Sequence, residues 1–364
     1  MIHFFYRQFG WSQFVITAFL NKLSLIFLIF LFGCNNPQNS RFFNFIYEVN
    51  VDASNNKKLE LWIPIPSTNE VQIISNLKID TDRLDYQMLE ESKYNNQYLY
   101  IYALDGTTES KSIKISFDVK RFEHSNVNYN DINPDDYLSS YTMVPVGDAF
   151  DNVINDNNLI SNNIKSIYDF VLSGMHYGKP KNKNSVYYNN PWLSEDGKYG
   201  MKHVSRDIVV DLYEKALKSG SSYTFGNGNA IYACDIGVGN CTDYHSYFMS
   251  LTRTVDIPSR FHMGFPIPED KEGTVKGYHC WADYYVNNEG WYPVDISEAD
   301  KNPDKADYFF GTVCNNRLEM IHGRDFEIKS YENNPVNLFI YPLLEINDLE
   351  SNKFTKVFSY KNIY

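Results

Sequence analysis

Three residues whose types could carry out nucleophilic chemistry occur in the order Cys241, His279 and Asp295. Cys241 follows a loop rich in Gly and Asn, and apolar residues then recur at steps of three and four from Tyr244 to Val255. This spacing predicts a helix that begins at or near Cys241. The N–H groups of a first helical turn lack partners within the helix, and the helix dipole is positive there. Both effects favour a thiolate over a thiol, which makes Cys241 a candidate nucleophile.

A predicted β-hairpin carries the other two residues. Tyr278 to Val286 and Gly290 to Asp295 have strand-like patterns and are joined by a tight turn, so His279 and Asp295 can lie side by side. The imidazole could take the thiol proton and later protonate a leaving group, while the carboxylate orients the ring. The backbone N–H of Cys241 could donate to an oxyanion.

Each of these residues also has a plainer structural interpretation. A cysteine at a helix start is often structural, a strand histidine beside a tryptophan is often half-buried, and Asp295 could begin a turn with Ser297. His245 lies one helical turn after Cys241 and could be a competing base. By ligand type, Cys241, His245, His279 and Asp295 would also make a zinc set.

Neighbouring residues allow both structural and functional interpretations. Asp243 could cap its helix or steer a substrate amine, but a solvated acid of the first turn is the favoured interpretation. Trp281 and Trp291 could wall a cleft, but packing in the core is an equally good interpretation. The acidic stretch Asp151 to Asn158 lacks the spacing of a calcium loop and is expected to form a turn and a helix cap.

Several stretches around the three residues resemble the signature blocks of the transglutaminase-like superfamily. The resemblance is strongest over residues 160–300 and implies a papain-like core in which Cys241 is the nucleophile, His279 the base and Asp295 the orienting acid. It makes the zinc set less favourable, and it implies no cofactor and no metal. Leu61 to Pro66 also resembles the β-domain that often precedes this core. The signature stretches are Gly239 to Ser246, Ile257 to Phe261, Gly277 to Ala282 and Gly290 to Asp295.

Length and charge limit the class of protein. A chain of 364 residues is long enough for about two domains. The formal net charge of −12 argues against a protein that tracks nucleic-acid phosphates, which needs a basic face. The five cysteines include no CxxC pair, and they allow at most one internal disulfide if Cys34 and Cys241 are set aside. Cys234 could then pair with Cys280 or with Cys314.

The N-terminus has the features of a targeting segment. Leu25 to Phe32 is an unbroken apolar run, and Gly33 and Cys34 follow it before a polar stretch. We predict that residues 1–34 are a signal peptide of the lipoprotein type, with Cys34 as the lipidated residue. An uncleaved membrane helix over Phe14 to Phe32 is the alternative. Both predict a bacterial cell-envelope protein whose globular part lies outside the cytoplasm, tethered to a membrane.

The pattern along the chain predicts an α+β fold. Short β-type runs over residues 41–145 predict a β-sandwich. Residues 146–325 are predicted to form the papain-like core. It includes a helix whose apolar stripe runs from Ile160 to Leu172, which Ser161 or Asn162 could cap, and a long surface loop over 178–202. Short β-like pieces are predicted at Tyr308 to Phe310 and Leu338 to Tyr341, and residues 326–364 are predicted to be a C-terminal β extension. The polar tail after Ser351 is expected to be loose.

These observations predict an extracytoplasmic cysteine enzyme that performs amide acyl transfer through a thioester on Cys241. Hydrolysis of a protein or peptide substrate is favoured. A true transglutaminase, which transfers the acyl group to an amine, is one alternative, and a non-catalytic module that binds peptide or cell-wall material is another. The sequence predicts no nucleic-acid partner and leaves the oligomeric state open.

Overall fold

The computed structural model describes residues 39–160, 162–178, 198–199, 204–205, 211, 214–216 and 218–364. The predicted signal peptide with Cys34, and most of the predicted surface loop 178–202, lie outside the described residues. Ser40–Tyr364 form one compact unit. Within the part of the chain that is described, no helix is long and apolar enough to cross a membrane.

Strands are spread over the whole described chain, and helices are concentrated between residues 149 and 309. The strands are β1 Ser40–Val51, β2 Leu59–Ile65, β3 Gln72–Asp80, β4 Asp85–Glu90, β5 Gln97–Ala103, β6 Lys111–Phe122, β7 His176–Tyr177, β8 Lys198–Tyr199, β9 Val204–Ser205, β10 Val238–Gly239, β11 Ser259–Pro266, β12 Glu272–Val275, β13 His279–Val286, β14 Gly290–Val294, β15 Arg317–His322, β16 Leu343–Ile346 and β17 Phe354–Asn362. The helices are α1 Ala149–Asp156, α2 Ile164–Gly174, α3 Ala230–Ile236, α4 Cys241–Thr254, α5 Ile296–Lys301 and α6 Ala306–Phe309.

Two antiparallel sheets contain most of the strands before residue 123. One has the order β12-β17-β1-β6-β3 and the other the order β16-β2-β5-β4. In β1, alternate residues from Phe43 to Val51 are buried, as expected for a strand with one face on the core. In β2 every residue is buried, so this strand is covered on both faces. Both sheets receive a strand from the C-terminal segment, because β16 pairs with β2 and β17 pairs with β1.

A third sheet, with the order β14-β13-β11-β15, carries the residues of interest. The hairpin of β13 and β14 matches the predicted one, and its last registered pair is Ala282 with Val294. Helix α4 packs against β13 and β11 and also against α2, α3 and α5. Its residues from Cys241 to Arg253 are all buried, so the helix is enclosed on every side rather than on the one predicted face.

Several local predictions were wrong. Helix α2 starts at Ile164, with Asn163 accepting from the Ser166 N–H, and Ile160 lies outside it. The stretch Asp151 to Asn158 belongs mostly to helix α1 instead of a turn. Tyr308 and Phe309 are helical, and the strand near Leu338 to Tyr341 lies further on, at β16.

The tail after Ser351 is not loose. It forms β17, which lies between β1 and β12 and buries Phe358 and Tyr360. The side chains of Lys356, Phe358 and Tyr360 share one face of the strand, and this alternation explains why a segment rich in polar residues holds a place inside a sheet.

Candidate active site

A complete capping box fixes the start of α4 at Cys241. The Asn240 side chain accepts from the N–H of Thr242 at 2.9 Å, and the Asn240 N–H donates to Asp243 Oδ2 at 2.9 Å. The predicted helix start is therefore confirmed. It could be predicted because the capping contacts involve only residues close in sequence. Among the described residues, the N–H of Cys241 has no acceptor, so it remains available to a bound group.

Asp243 is buried, in contrast to the solvated acid expected from the sequence. Its carboxylate accepts from the N–H groups of Gly226 at 2.8 Å and Gly228 at 3.0 Å, in addition to Asn240. Burial raises the pKa of Asp243 to about 7, although the three backbone donors act in the opposite direction. Asp243 therefore ties the loop before α3 to the first turn of α4.

Gly228 shows how closely this loop approaches the helix. Its φ of 62° lies in the left-handed region, and a Cβ atom there would come within 2.6 Å of Thr242 and 2.7 Å of Arg324. The Arg324 guanidinium also donates to the carbonyl of Gly228 at 3.1 Å. The glycine is thus required for both its backbone conformation and its packing.

Two side chains, Cys280 and His279, stabilise the charged form of the Cys241 sulfur. Only 3% of the residue is exposed. The Cys280 thiol makes the strongest contribution that holds the pKa of Cys241 well below its usual value, and His279 adds to it, while burial acts in the opposite direction. The same contact, together with burial, raises the pKa of Cys280 well above its usual value. Cys241 is therefore the thiolate of the pair and Cys280 the thiol.

His279 and Asp295 are in direct contact. His279 Nε2 lies 2.7 Å from Asp295 Oδ2, which leaves Nδ1 for another partner. Burial alone would lower the pKa of His279, but the charge of Asp295 raises it to about 9. His279 and Arg317 in turn hold the pKa of Asp295 below its usual value, against the effect of burial. The directions of these pKa shifts favour a buried chain of alternating charge, thiolate, imidazolium and carboxylate.

Asp295 reaches His279 from just beyond the hairpin. It follows the last residue of β14, so the two residues are brought together diagonally and not as a registered cross-strand pair. Its other oxygen, Oδ1, accepts from the Ser297 hydroxyl and the Glu298 N–H, both at 3.1 Å, and so begins α5. Asp295 therefore fulfils both interpretations drawn from the sequence, because it begins a turn and also orients the imidazole.

His245 is occupied by the backbone on both sides. Its Nδ1 donates to the carbonyl of Cys241 at 2.7 Å, and its Nε2 accepts from the N–H of Ile296 at 3.1 Å. Burial lowers its pKa, so it is neutral. With both ring nitrogens engaged, His245 joins α4 to α5 and is unavailable as a base or as a zinc ligand. Within the described ranges, no group of three or more His, Cys, Asp or Glu side chains could hold a metal ion.

The two tryptophans of the hairpin pack in the interior. The Trp281 ring stacks on His262 with an interplanar angle of 2°, and Trp291 packs edge-on against Tyr137. The disulfides considered from the sequence are not formed, and Cys234, Cys280 and Cys314 are all in the thiol form. Cys280 instead contacts Thr242, whose Oγ1 lies 3.5 Å from its sulfur.

Two charged residues of the site were missed by sequence reasoning. Arg317 Nη2 lies 3.3 Å from Asp295 Oδ2, and Glu298 Oε1 lies 4.0 Å from His279 Nδ1. Arg317 arrives from β15, which pairs with β11, and nothing in its local sequence indicates that position. The closeness of Cys280 to Cys241 was also missed, although its place next to His279 is a signal that it lies near the site.

Comparisons with known proteins agree with this arrangement. The sequence profile of the transglutaminase-like superfamily matches residues 151–296, a range that includes Cys241, His279 and Asp295. An uncharacterized protein of Haemophilus influenzae is 23% identical over 353 residues, which cover 86% of this chain and 88% of that protein.

Solved structures also resemble the chain. The crystal structure of a candidate cysteine protease from Cytophaga hutchinsonii is similar with a TM-score of 0.52 and 11% identity, over 90% of this chain and 92% of that one. The periplasmic domain of TgpA from Pseudomonas aeruginosa bound to ethylmercury is more distant, with a TM-score of 0.30 and 12% identity, over 72% of this chain and 92% of that one. The predicted α+β fold class is confirmed, and residues 151–296 of this chain match the sequence profile of the transglutaminase-like superfamily.

Proposed function

We propose that the chain is a cysteine hydrolase that cleaves an amide bond of a protein or peptide through a thioester on Cys241. The observation that carries this proposal is the position of His279. Its Nε2 lies 2.7 Å from Asp295 Oδ2, and its interaction with Cys241, at the start of α4, lowers the pKa of the thiol. These relations suit a nucleophile, a base and an orienting acid.

The first half of the reaction would form the thioester. The Cys241 thiolate attacks the carbonyl carbon of the amide, and the electron pair of the C=O bond moves to oxygen. The resulting oxyanion accepts from the free N–H of Cys241 at the start of the helix. When the C=O bond re-forms, the C–N bond breaks, and His279 gives its proton to the leaving amine. The enzyme is then an acyl thioester with a neutral imidazole.

The second half would release the acid. The neutral His279 takes a proton from water, and the hydroxide formed attacks the thioester carbonyl. The C–S bond breaks, the carboxylic acid leaves, and the thiolate and imidazolium are restored. Asp295 keeps its charge throughout and holds the ring in one tautomer. If a primary amine takes the place of water, the same steps produce a new amide, which is the reaction of a transglutaminase.

One experiment tests the nucleophile. Cys241 is expected to react with iodoacetamide at near-neutral pH much faster than the free, partly buried Cys314, and His279→Ala should abolish this advantage. Cys314→Ala serves as the matched control and should leave the fast labelling in place. If Cys241 reacts no faster than an ordinary buried thiol, the enzyme proposal fails and a binding module is favoured.

A second experiment identifies the acceptor. A peptide library is incubated with the protein, with and without an added primary amine, and products are identified by mass. Cleavage or deamidation in both samples, absent with Cys241→Ala, supports hydrolysis. Products that carry the amine in preference to water would identify a transglutaminase and contradict the hydrolytic proposal.

We further propose that the protein works in the bacterial cell envelope, outside the cytoplasm, tethered through lipid on Cys34. The support is in the sequence, where an apolar run ends at Gly33 and Cys34 ahead of a polar stretch. Cells fed labelled palmitate should label the protein, and Cys34→Ser should remove the label. Label that persists in this variant would contradict the tether. A protein or peptide substrate remains the proposed partner, and the charge of −12 gives no reason to propose nucleic acid.

A further inference from the structure

A second thiol lies beside the proposed nucleophile and carries out none of the bond-making or proton-transfer steps of the hydrolytic mechanism. Cys280 follows His279 on β13 and is completely buried. Its sulfur lies 3.5 Å from Thr242 Oγ1, and its interaction with Cys241 raises the pKa of Cys280 and lowers that of Cys241. Thr242 is the residue after Cys241, and its hydroxyl also lies 3.0 Å from the Tyr278 hydroxyl. The contact with Thr242 therefore places Cys280 against the first turn of α4.

The two sulfurs differ in access and in charge. Cys241 is 3% exposed, whereas Cys280 is 0% exposed, so a small reagent reaches Cys241 first. Cys241 is also the thiolate of the pair, and thiolates are the form that hydroperoxides oxidise. A thiol next to an oxidised cysteine can condense with it to form a disulfide before further oxidation occurs.

We propose that Cys241 and Cys280 form a redox-active dithiol, in which a hydroperoxide oxidises Cys241 and Cys280 then closes a reversible disulfide. The inference extends the proposed function, since it rests on Cys241 being a reactive thiolate at that site. Disulfide formation would remove the nucleophile from catalysis, and a thiol reductant would restore it. The pair would also protect Cys241 from irreversible oxidation.

The chemistry balances in two steps. The Cys241 thiolate attacks the terminal oxygen of the hydroperoxide, the O–O bond breaks, and the alkoxide takes a proton, which leaves a sulfenic acid on Cys241. The Cys280 sulfur then attacks the Cys241 sulfur and the S–O bond breaks. The departing hydroxide takes the proton of the Cys280 thiol and leaves as water. Two thiols and one hydroperoxide thus give one disulfide, one alcohol and one water.

The fold places the two cysteines close together for this bond. The Cys280 sulfur lies 3.5 Å from Oγ1 of Thr242, the residue after Cys241, and a disulfide requires the two sulfurs to approach to about 2.05 Å. Cys241 is the first residue of α4, and Cys280 is the second residue of β13. No other described cysteine is placed against Cys241, since Cys234 and Cys314 are partly exposed elsewhere.

The test treats the full chain with hydrogen peroxide at near-neutral pH and then maps its cysteines by mass. Trypsin leaves Cys241 in the peptide 219–253, together with Cys234, and Cys280 in the peptide 277–301. We expect these two peptides to become linked, with fragmentation placing the bond at Cys241. Iodoacetamide labelling of Cys241 should be lost and then recovered with dithiothreitol. Cys234→Ser and Cys314→Ser are matched controls that should still form the link.

Cys280→Ala is the decisive variant. Without the second thiol, peroxide should carry Cys241 through a sulfenic acid, trapped by dimedone, to a sulfinic acid that dithiothreitol does not reverse. Circular dichroism and iodoacetamide labelling before oxidation show whether this variant is folded, and Cys280→Ser provides a second one of similar size. If wild type and both variants reach sulfinic acid at the same rate, or if wild type gives no link to Cys280, the inference is overturned.

The outcomes also separate this inference from the proposed function. Peptide cleavage by untreated protein together with no Cys241–Cys280 link would leave the hydrolase standing and overturn the redox pair. A reversible link in a protein that cleaves no peptide would support the redox pair and count against the hydrolase.

Discussion

Two neighbouring side chains and a helix start act on one buried sulfur, that of Cys241. Burial opposes the thiolate, yet the Cys280 thiol and His279 outweigh it and hold the pKa of Cys241 well below its usual value. His279 is displaced the other way, to a pKa of about 9, because Asp295 stabilises its charged form. At a pH between the pKa of Cys241 and the pKa of His279, the site contains both the nucleophilic thiolate and the proton that the leaving group needs.

The pH dependence of the reaction follows from these directions. We expect activity to be level across neutral pH and to fall as the pH rises through about 9, where His279 loses its proton. Asp295→Asn removes the charge that raises the pKa of His279 and leaves Arg317 beside it, so the alkaline limb should move to lower pH. Activity should also drop on the order of 10³-fold or more.

The measurement is the pH profile of peptide cleavage, or of Cys241 alkylation if no substrate has been found. Asp304→Asn, an exposed carboxylate of the same region, is the matched control and should leave the profile unchanged. An alkaline limb that stays in place in Asp295→Asn would show that Asp295 does not set the protonation of His279.

The sequence was sufficient for the residues whose neighbours are local. Cys241, His279 and Asp295 were predicted from residue type, strand and helix patterns and signature blocks, and the structure brings them together. Arg317 was not, because it lies 22 residues from Asp295 and reaches it through a strand that pairs with β11. The contact between Cys280 and Cys241 likewise depends on how α4 packs on β13, which no local pattern encodes.

Some of the helices and strands that position the site are determined by nearby residues, and others are determined by tertiary packing. The start of α4 depends on a capping box and was predicted correctly, whereas α3 was missed because its seven residues are too few for a periodic pattern. Strands β3 and β4 were also missed, since most of their residues are exposed and no buried face imposes an alternation. Tertiary packing, and not propensity, decides such elements.

Asp243 joins the loop of Gly226 and Gly228 to α4, so its carboxylate should stabilise that loop. In Asp243→Asn one oxygen can still accept two backbone N–H groups, but the amide nitrogen then faces the third donor. We expect a loss of about 1–3 kcal/mol in the free energy of unfolding, because a buried N–H is left without an acceptor. Faster amide exchange at Gly228 should accompany it.

Thermal unfolding and hydrogen exchange measure these two effects. Asp256→Asn, just beyond the other end of α4 and exposed, is the control and should change neither. Equal stability of Asp243→Asn and wild type, with unchanged exchange at Gly228, would mean that the loop is held by other contacts, such as the Arg324 hydrogen bonds.

At the scale of the whole molecule, the C-terminal strand links parts of the chain that are far apart in sequence. β17 lies between β1 and β12, which precede it by about 310 and 80 residues in the chain. Phe358 packs edge-on against Tyr47 of β1 with ring centroids 4.6 Å apart, and against Phe265 of β11 at 4.4 Å. One aromatic cluster is therefore shared by the first strand, the last strand and the sheet that carries His279.

This sharing predicts that the described chain from Ser40 to Tyr364 unfolds as one unit. Phe358→Ala should lower the free energy of unfolding by about 3–5 kcal/mol, since it removes a buried ring from the cluster. Val357, on the opposite face of the same strand and 44% exposed, gives the matched control Val357→Ala, which should change stability by no more than about 0.5 kcal/mol.

Urea unfolding is followed by circular dichroism and, in parallel, by alkylation of buried Cys280. Both signals should shift together in Phe358→Ala. If Cys280 keeps its wild-type midpoint while the circular dichroism transition moves, the sheet around His279 is stable without the C-terminal strand and the two parts unfold independently.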